Sequence, residues 1–234
     1  MKKILLSLLF LLSASMLFAQ HREQRELTSF DGIRFAGRGS LYISAGEQSR
    51  LELEASDPAA LPRILTRVEG GTLHIEYMRD EDKILDVHPR ISVYLTYEQL
   101  RSIRTEGIVN VYTEDAIRNG SFFFKAEGVG KNELLLEVEN LEVEVSGTAN
   151  VRLYGTTFRE FLLLEGTGTL DAFELQASQA SVEVNGTGSV FLNVSDKMII
   201  DANGFGAQIR YRGNPEKKVI NKSGWVTVKP ELAK

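Results

Sequence analysis

Cysteine is absent from the 234 residues, and histidine is confined to His21, His74 and His88. Without thiols there is no disulfide framework, no thiolate zinc site, no cysteine nucleophile and no lipidated N-terminal cysteine. Three scattered histidines do not build a histidine-rich metal centre, and neither a metal nor a cofactor is expected. Proline is scarce too: five in all, none of them between Arg90 and Asn214, where it would interrupt strands. Positive charge is in deficit, 27 Lys and Arg against 32 Asp and Glu, for a net charge of −5. An acidic chain without a basic stripe argues against nucleic acid as a partner.

Long apolar runs are limited to one, at the start. Lys2 and Lys3 precede the apolar stretch Ile4 to Phe18, and Ala19 offers a small residue for cleavage ahead of a polar segment. The stretch falls short of the roughly 20 residues a helix needs to cross a bilayer. Residues 1–19 are therefore expected to be a Sec-type signal peptide, with the mature protein in the periplasm or at the cell surface and spanning no membrane. Losing Lys2 and Lys3 takes the net charge from −5 to −7. With 43% hydrophobic and 25% charged residues, what remains has the composition of a folded domain, not of a disordered one.

What is present in abundance is glycine, at a regular spacing. From residue 100 onward an alternating strand, a glycine turn and a second alternating strand recur six times. The first glycines are Gly107, Gly128, Gly147, Gly166, Gly186 and Gly204, at intervals of 18 to 21 residues. Within the units the period is two. Leu141, Val143 and Val145 alternate with Glu142 and Glu144, and Val182 and Val184 flank Glu183, as in half-buried strands. Each glycine is expected to supply a bend with positive φ.

One unit of about 20 residues cannot bury its own apolar face, so stacked units must share a core. The expected fold is all-β: a right-handed parallel β-helix or β-solenoid with about 20-residue rungs and an irregular N-terminal β cap. An antiparallel meander, with the glycines closing hairpins, is the rival. Stacking would bring Asn110, Asn150, Thr169 and Ser189, with Asn132 one place later, into a polar ladder at a corner.

Residues 29–100 carry strands without the clean repeat. Gly37 and the residues after it match the stretch from Gly186, which suggests an early turn of the same kind. Arg50 to Ala55 alternates as a strand, with Glu52 and Glu54 outward. Asp57 and Pro58 open a short helical turn through Leu65, and Val68 to Leu73 reads as a hairpin through Gly70 and Gly71. Arg79 to His88 is a charged loop. The expected division is a signal peptide at 1–19, a polar linker at 20–28, one solenoid domain at 29–215 with its regular repeats at 101–213, and a C-terminal cap or tail at 216–234, which Trp225 helps to close.

These residues resemble the head GIN domain family, also called the putative auto-transporter adhesins, a domain of unknown function common in Bacteroidetes. The resemblance rests on Phe30-Asp31-Gly32-Ile33 with Gly37 and Gly39, on Val68 through Ile75, and on the repeated glycine turns, across roughly residues 29 to 215. It implies a β-helix-like fold, an adhesin-like role and no catalytic residues. The repeats run to Gly213 and leave about twenty residues, whereas a translocator barrel needs at least eight strands of about ten residues. A passenger-like domain is expected, not a self-exporting one.

For chemistry the candidates are thin. A glycosidase needs two carboxylates roughly 5–10 Å apart; Asp171 and Asp201 are the nearest approach to such a pair, and they read as surface residues. Asp80-Glu81-Asp82 with Asp86 is the densest acidic run, without the spacing of a calcium loop. His74 and His88 lack a second histidine at ligand spacing. No G-x-S-x-G, H-E-x-x-H or P-loop is present. Asn119, Asn185, Asn193 and Asn221 match glycosylation sequons that carry little meaning in a bacterium. Aromatic residues are the remaining handle: Phe122-Phe123-Phe124 must expose a ring if it is a strand, and Tyr42, Tyr94, Tyr97 and Tyr112 are candidates for an aromatic face.

The sequence therefore points to an exported, non-enzymatic binding domain that meets an unknown protein or glycan at the cell envelope. A periplasmic regulatory or stress-response module and a β-helix polysaccharide lyase or hydrolase are the alternatives. No catalytic, cofactor-binding or metal-ligating residue is assigned.

Overall fold

In the computed structural model, which describes residues 21–55, 57–78 and 90–231, eleven strands form one mostly parallel sheet that does not close. They are β1 (His21–Arg25), β2 (Gly32–Ala45), β3 (Arg50–Ala55), β4 (Ile64–Glu69), β5 (Thr72–Tyr77), β6 (Ile91–Tyr97), β7 (Ser102–Thr113), β8 (Ile117–Gly166), β9 (Thr169–Gly186), β10 (Ser189–Arg212) and β11 (Lys217–Pro230). The lateral order is β1-β3-β6-β2-β7-β8-β9-β10-β11, with β5, and β4 behind it, on the first part of β2. The expected signal peptide, the acidic run Asp80 to Asp86 and His88 lie outside the described residues.

Strand β8 has 50 residues, which would reach roughly 165 Å if straight, at about 3.3 Å per residue. It is not straight. Gly128, Gly147 and Gly166, all within it, lie backbone against backbone, so the strand bends and packs beside itself.

The pairing is parallel and in step with the repeat. Gly37 aligns with Gly107, Gly107 with Gly128, Gly166 with Gly186 and Gly204 with Gly224. Close backbone approach links Gly128 to Gly147, Gly147 to Gly166 and Gly186 to Gly204. The six repeat glycines thus form one column, which Gly37 and Gly224 extend at its two ends. This register excludes an antiparallel meander for the repeats.

Two separate causes hold the column to glycine. At Gly107, Gly128, Gly147 and Gly166, φ lies between 97° and 122°, where a side chain is strained. Gly186 and Gly204 do not share that conformation, which corrects the expectation of a positive φ at every repeat. There the constraint is space alone, because a Cβ would run into the carbonyl oxygen of the glycine before it in the column.

Alternation fills the interior. Val143, Val145, Leu162 and Leu164 are fully buried, while Glu142 faces solvent. The inward side chains of successive strands join one apolar cluster extending from Phe30 to Val226. Neighbouring repeats are also tied by asparagines: Asn119, Asn140 and Asn193 donate from Nδ2 to the carbonyls of Leu100, Gly120 and Phe173 at 3.1, 3.3 and 3.3 Å. Two of these belong to the sequons of the sequence reading, and their side chains serve the fold.

The polar ladder forms in part. Asn110 donates to Ser40 Oγ at 3.3 Å and accepts the Lys131 N–H at 2.9 Å; Asn150, Thr169 and Ser189 share one column. Asn132 does not belong with them. The extra residue in its repeat reverses its phase in the pleat, so it aligns with Val111 and turns inward, with neither amide atom paired.

Antiparallel pairing is confined to the N-terminal end, between β1 and β3, β3 and β6, and β4 and β5. The Asp57 carboxylate accepts the Ala59 N–H at 2.9 Å and starts a 3-10 turn at Pro58–Arg63. The turn stops short of Leu65 because Ile64 is already extended and opens β4. Gly70 and Gly71, at φ 57° and 79°, close the β4–β5 hairpin as expected.

Candidate functional site

Alternation decides which tyrosines reach solvent. On β2, Tyr42 lies between buried Leu41 and Ile43; on β6, Tyr94 lies between buried Val93 and Leu95; on β7, Tyr112 follows buried Val111. Parallel pairing in step then sets Tyr94 and Tyr112 on either side of Tyr42. The ring centroids are 5.1 and 5.3 Å apart, with planes inclined by 14° and 19°. Such stacks contribute about 0.5–1.5 kcal/mol each beyond buried area. Arg22 of β1 places its guanidinium 5.7 Å from the Tyr94 ring centroid. Burial, then the charge of Glu54, raises the Tyr94 phenol above its ordinary pKa.

Tyr97 was expected on this face and is not there. Three residues beyond Tyr94 it has the opposite parity, so it points into the core, 4% exposed, with an unpaired hydroxyl. Burial, with Asp115 adding to it, pushes its pKa up to about 12.

Beside the tyrosine row lies an open groove of about 720 Å³, lined among others by Tyr42, Tyr94, Ser44, Thr96, Arg50 and Glu114. Of the ionic groups on its β1 and β3 side, Arg25 and Glu52 are engaged with neighbours. Arg25 bonds Glu23 at 2.9 Å, Thr66 Oγ1 at 3.0 Å and the Leu61 carbonyl at 2.9 Å, and so fastens β1 to the hairpin side. Glu52 is held by Arg22 at 2.6 Å. What the groove offers a ligand is therefore tyrosine surface, hydroxyls and a few exposed charges.

Other charged side chains also pair. Arg34 grips Glu106 with two nitrogens at 2.9 and 2.8 Å and also bonds Glu76, which Arg67 reaches at 3.1 Å. The Glu106 hydrogen bond leads the effects that raise the Arg34 pKa. At Glu76 burial pushes upward, but the hydrogen bond and charge of Arg67, with Arg34 behind it, hold the carboxyl below its ordinary value. His74 Nδ1 stands 3.7 Å from Glu76.

Asp171 and Asp201 are not brought together by the register. Asp171 aligns with Arg152 and Phe191, pairs with Arg152 at 3.4 Å and accepts the Phe173 N–H. Asp201 aligns with Glu183, twelve residues farther along β9 than Asp171, and with Asn221. Among the described residues, no group of three or more His, Asp or Glu gathers as a metal cage would require. Phe122 and Phe124 are buried, and the half-buried Phe123 lies 5.1 Å beneath the Arg104 guanidinium.

Sequence reasoning missed Glu160. It shares the parity of Leu162 and Leu164, so it faces inward, where it aligns with Ala180 and is 3% exposed. Neither carboxylate oxygen has a partner, and burial raises its pKa to about 8. The parity of the strand was the available signal.

A sequence model described as "Putative auto-transporter adhesin, head GIN domain" matches residues 29–215. Among solved structures the chain resembles a putative adhesin from Bacteroides fragilis NCTC 9343, with TM-score 0.80 and 22% identity over 91% of this chain and 97% of that one. A putative lipid binding protein from Parabacteroides distasonis ATCC 8503 matches with TM-score 0.67 and 20% identity, covering 89% and 96% of the two chains. A putative adhesin from the same strain gives 0.65 and 17%, covering 91% and 97%. These likenesses are of fold. Among curated proteins none matches.

Proposed function

This chain belongs to the putative auto-transporter adhesin, head GIN domain family, and we propose on that premise that it is an exported, non-enzymatic domain that binds a partner at the cell envelope. The observation that carries the reading is the Tyr94–Tyr42–Tyr112 stack along an open groove. Amphipathic rings in a row, with hydroxyls beside them, fit the faces of sugar rings or the side chains of a partner protein. At the groove Arg25 and Glu52, and on β2 Arg34, are taken up in ion pairs. The names of similar structures, adhesin and lipid binding protein, also lean toward surface binding.

Residues 1–19 act in this reading as the signal peptide, and the parallel repeats coil as a right-handed β-helix behind an irregular N-terminal β cap. The glycine column, with its steps of 18 to 21 residues, supports a coil of about 20 residues per turn. The test is a glycan-array screen of the exported chain, run beside assays for reducing-end release and unsaturated products on every hit. Binding without product is expected. Product formation overturns the non-enzymatic reading in favour of a polysaccharide lyase or hydrolase. Silence in both assays overturns the glycan arm and leaves a protein partner or a periplasmic regulatory role, to be sought by pull-down from envelope extract.

A further inference from the structure

The last strand differs in kind from the rest of the sheet. Among the described residues β11 pairs only with β10 and its other edge has no partner strand; nearly all of its residues are exposed. Within Lys217–Pro230 there are four lysines and no acidic residue, in a chain whose net charge is negative. Two lysines elsewhere are held by carboxylates: Lys125 holds Glu127 and Glu144, and Lys131 holds Glu133. Among the described residues, Lys217, Lys222 and Lys229 pair with no carboxylate. Lys217 instead sits in register beside Lys197, an arrangement of like charges that costs energy until an anion neutralises it.

Apolar groups gather at the same end. Trp225 is 74% exposed and Phe205 68%, the most open large apolar side chains among the described residues. They follow the glycines Gly224 and Gly204, and their rings stack at 4.9 Å with an 18° inclination. Val219 and Ile220, in β11, are also exposed. The expected closing of a cap by Trp225 is therefore not what the structure holds.

Lysines on a free edge also serve to discourage strand pairing between copies. That role does not account for exposed aromatic and aliphatic side chains interleaved with the charges, which would favour such pairing. Lysines beside tryptophan and aliphatic tips match the boundary between anionic headgroups and acyl chains. We propose that the β11 edge, with Lys217, Lys222, Ile220, Phe205 and Trp225, docks this protein on an anionic lipid surface. The free N–H groups of β11 donate to lipid phosphates. Its equally free carbonyls require water, so docking reaches the headgroup layer and goes no deeper. The site is separate from the tyrosine row and does not depend on it.

The chain's single tryptophan makes the test specific to this end. Vesicles of phosphatidylcholine with phosphatidylglycerol are expected to blue-shift Trp225 emission, and acyl-chain quenchers to reduce it; phosphatidylcholine alone is expected to do neither. Lys217→Gln with Lys222→Gln should lower partitioning about 25-fold, at about fivefold per lysine. Phe205→Ala with Ile220→Ser should lower it comparably while circular dichroism stays unchanged, and Tyr42→Ala should leave it intact. The proposal is overturned if the anionic vesicles leave Trp225 emission unshifted. It is equally overturned if soluble polyphosphate reproduces the shift, which would make the edge a polyanion site, or if both double variants partition like the parent.

Discussion

The carbonyl oxygen of Gly128 occupies the space that a side chain at Gly147 would need: a Cβ built on Gly147 would stand 2.7 Å from it. Contact of this kind recurs down the column from Gly107 to Gly224 and lets successive repeats approach at their corners. Gly147→Ala is therefore expected to lose about 2–4 kcal/mol, combining backbone strain at φ 110° with overpacking. Gly120 is the control, since a Cβ there meets nothing within 4 Å. Gly120→Ala should be neutral within about 0.5 kcal/mol. Urea unfolding of both variants checks the contrast; equal loss at the two sites would contradict it.

Arg34 bridges Glu106 and Glu76, with about a third of its side chain exposed. Arg34→Met should cost about 1 kcal/mol near neutral pH, discounted for solvent screening. The sign with pH follows from Glu76, whose folded pKa lies below its ordinary value of 4.5. Its contribution is present above that value and is lost as pH falls through the folded pKa. The gap in urea midpoint between parent and variant should thus narrow on acidification and in high salt. A gap that persists under both conditions would mean Arg34 acts through packing.

The repeat was legible because it depends on backbone space and pleat parity, both of which leave periodic marks in sequence. Six of the column glycines stood out from their spacing and Gly37 from its match to the stretch at Gly186, while Gly224 lay where the repeat is less regular. The tyrosine row was half legible. Tyr42, Tyr94 and Tyr112 could be named, but their contact depends on pairing β2 with β6 and β7, partners that lie about fifty and seventy residues away. Tyr97 was misplaced for want of counting parity from Tyr94. Asn132 was misplaced for a subtler reason: one extra residue in its repeat moves a polar side chain from the corner to the core.

Tyr42 sits between two aromatic neighbours and so contributes to the row twice. Tyr42→Ala should reduce binding of whatever ligand the groove holds by about tenfold or more, against a smaller loss for Tyr112→Ala at the end of the row. Tyr42→Phe keeps the stack and should retain most of the affinity. A ligand bound equally by the parent and Tyr42→Ala would place recognition elsewhere.

Glu160 holds a buried carboxyl with no hydrogen-bond partner, and its folded pKa is about 8 against an ordinary 4.5. Below the ordinary value both folded and unfolded chains carry the proton, and Glu160 makes no pH-dependent difference. Between the two values the unfolded chain releases a proton that the folded chain retains. Stability must then fall as pH rises, by up to about 1.4 kcal/mol per unit, and level off once the folded state also ionises. Glu160→Gln removes the titration and should flatten the profile across that window. Glu160→Met also removes the buried polar atoms and should be the more stable of the two at every pH. Urea midpoints of the three chains near pH 5 and near pH 8 decide the matter. A parent midpoint that stays constant, or one that falls alongside Glu160→Gln, would show that the carboxyl finds water or a partner in solution.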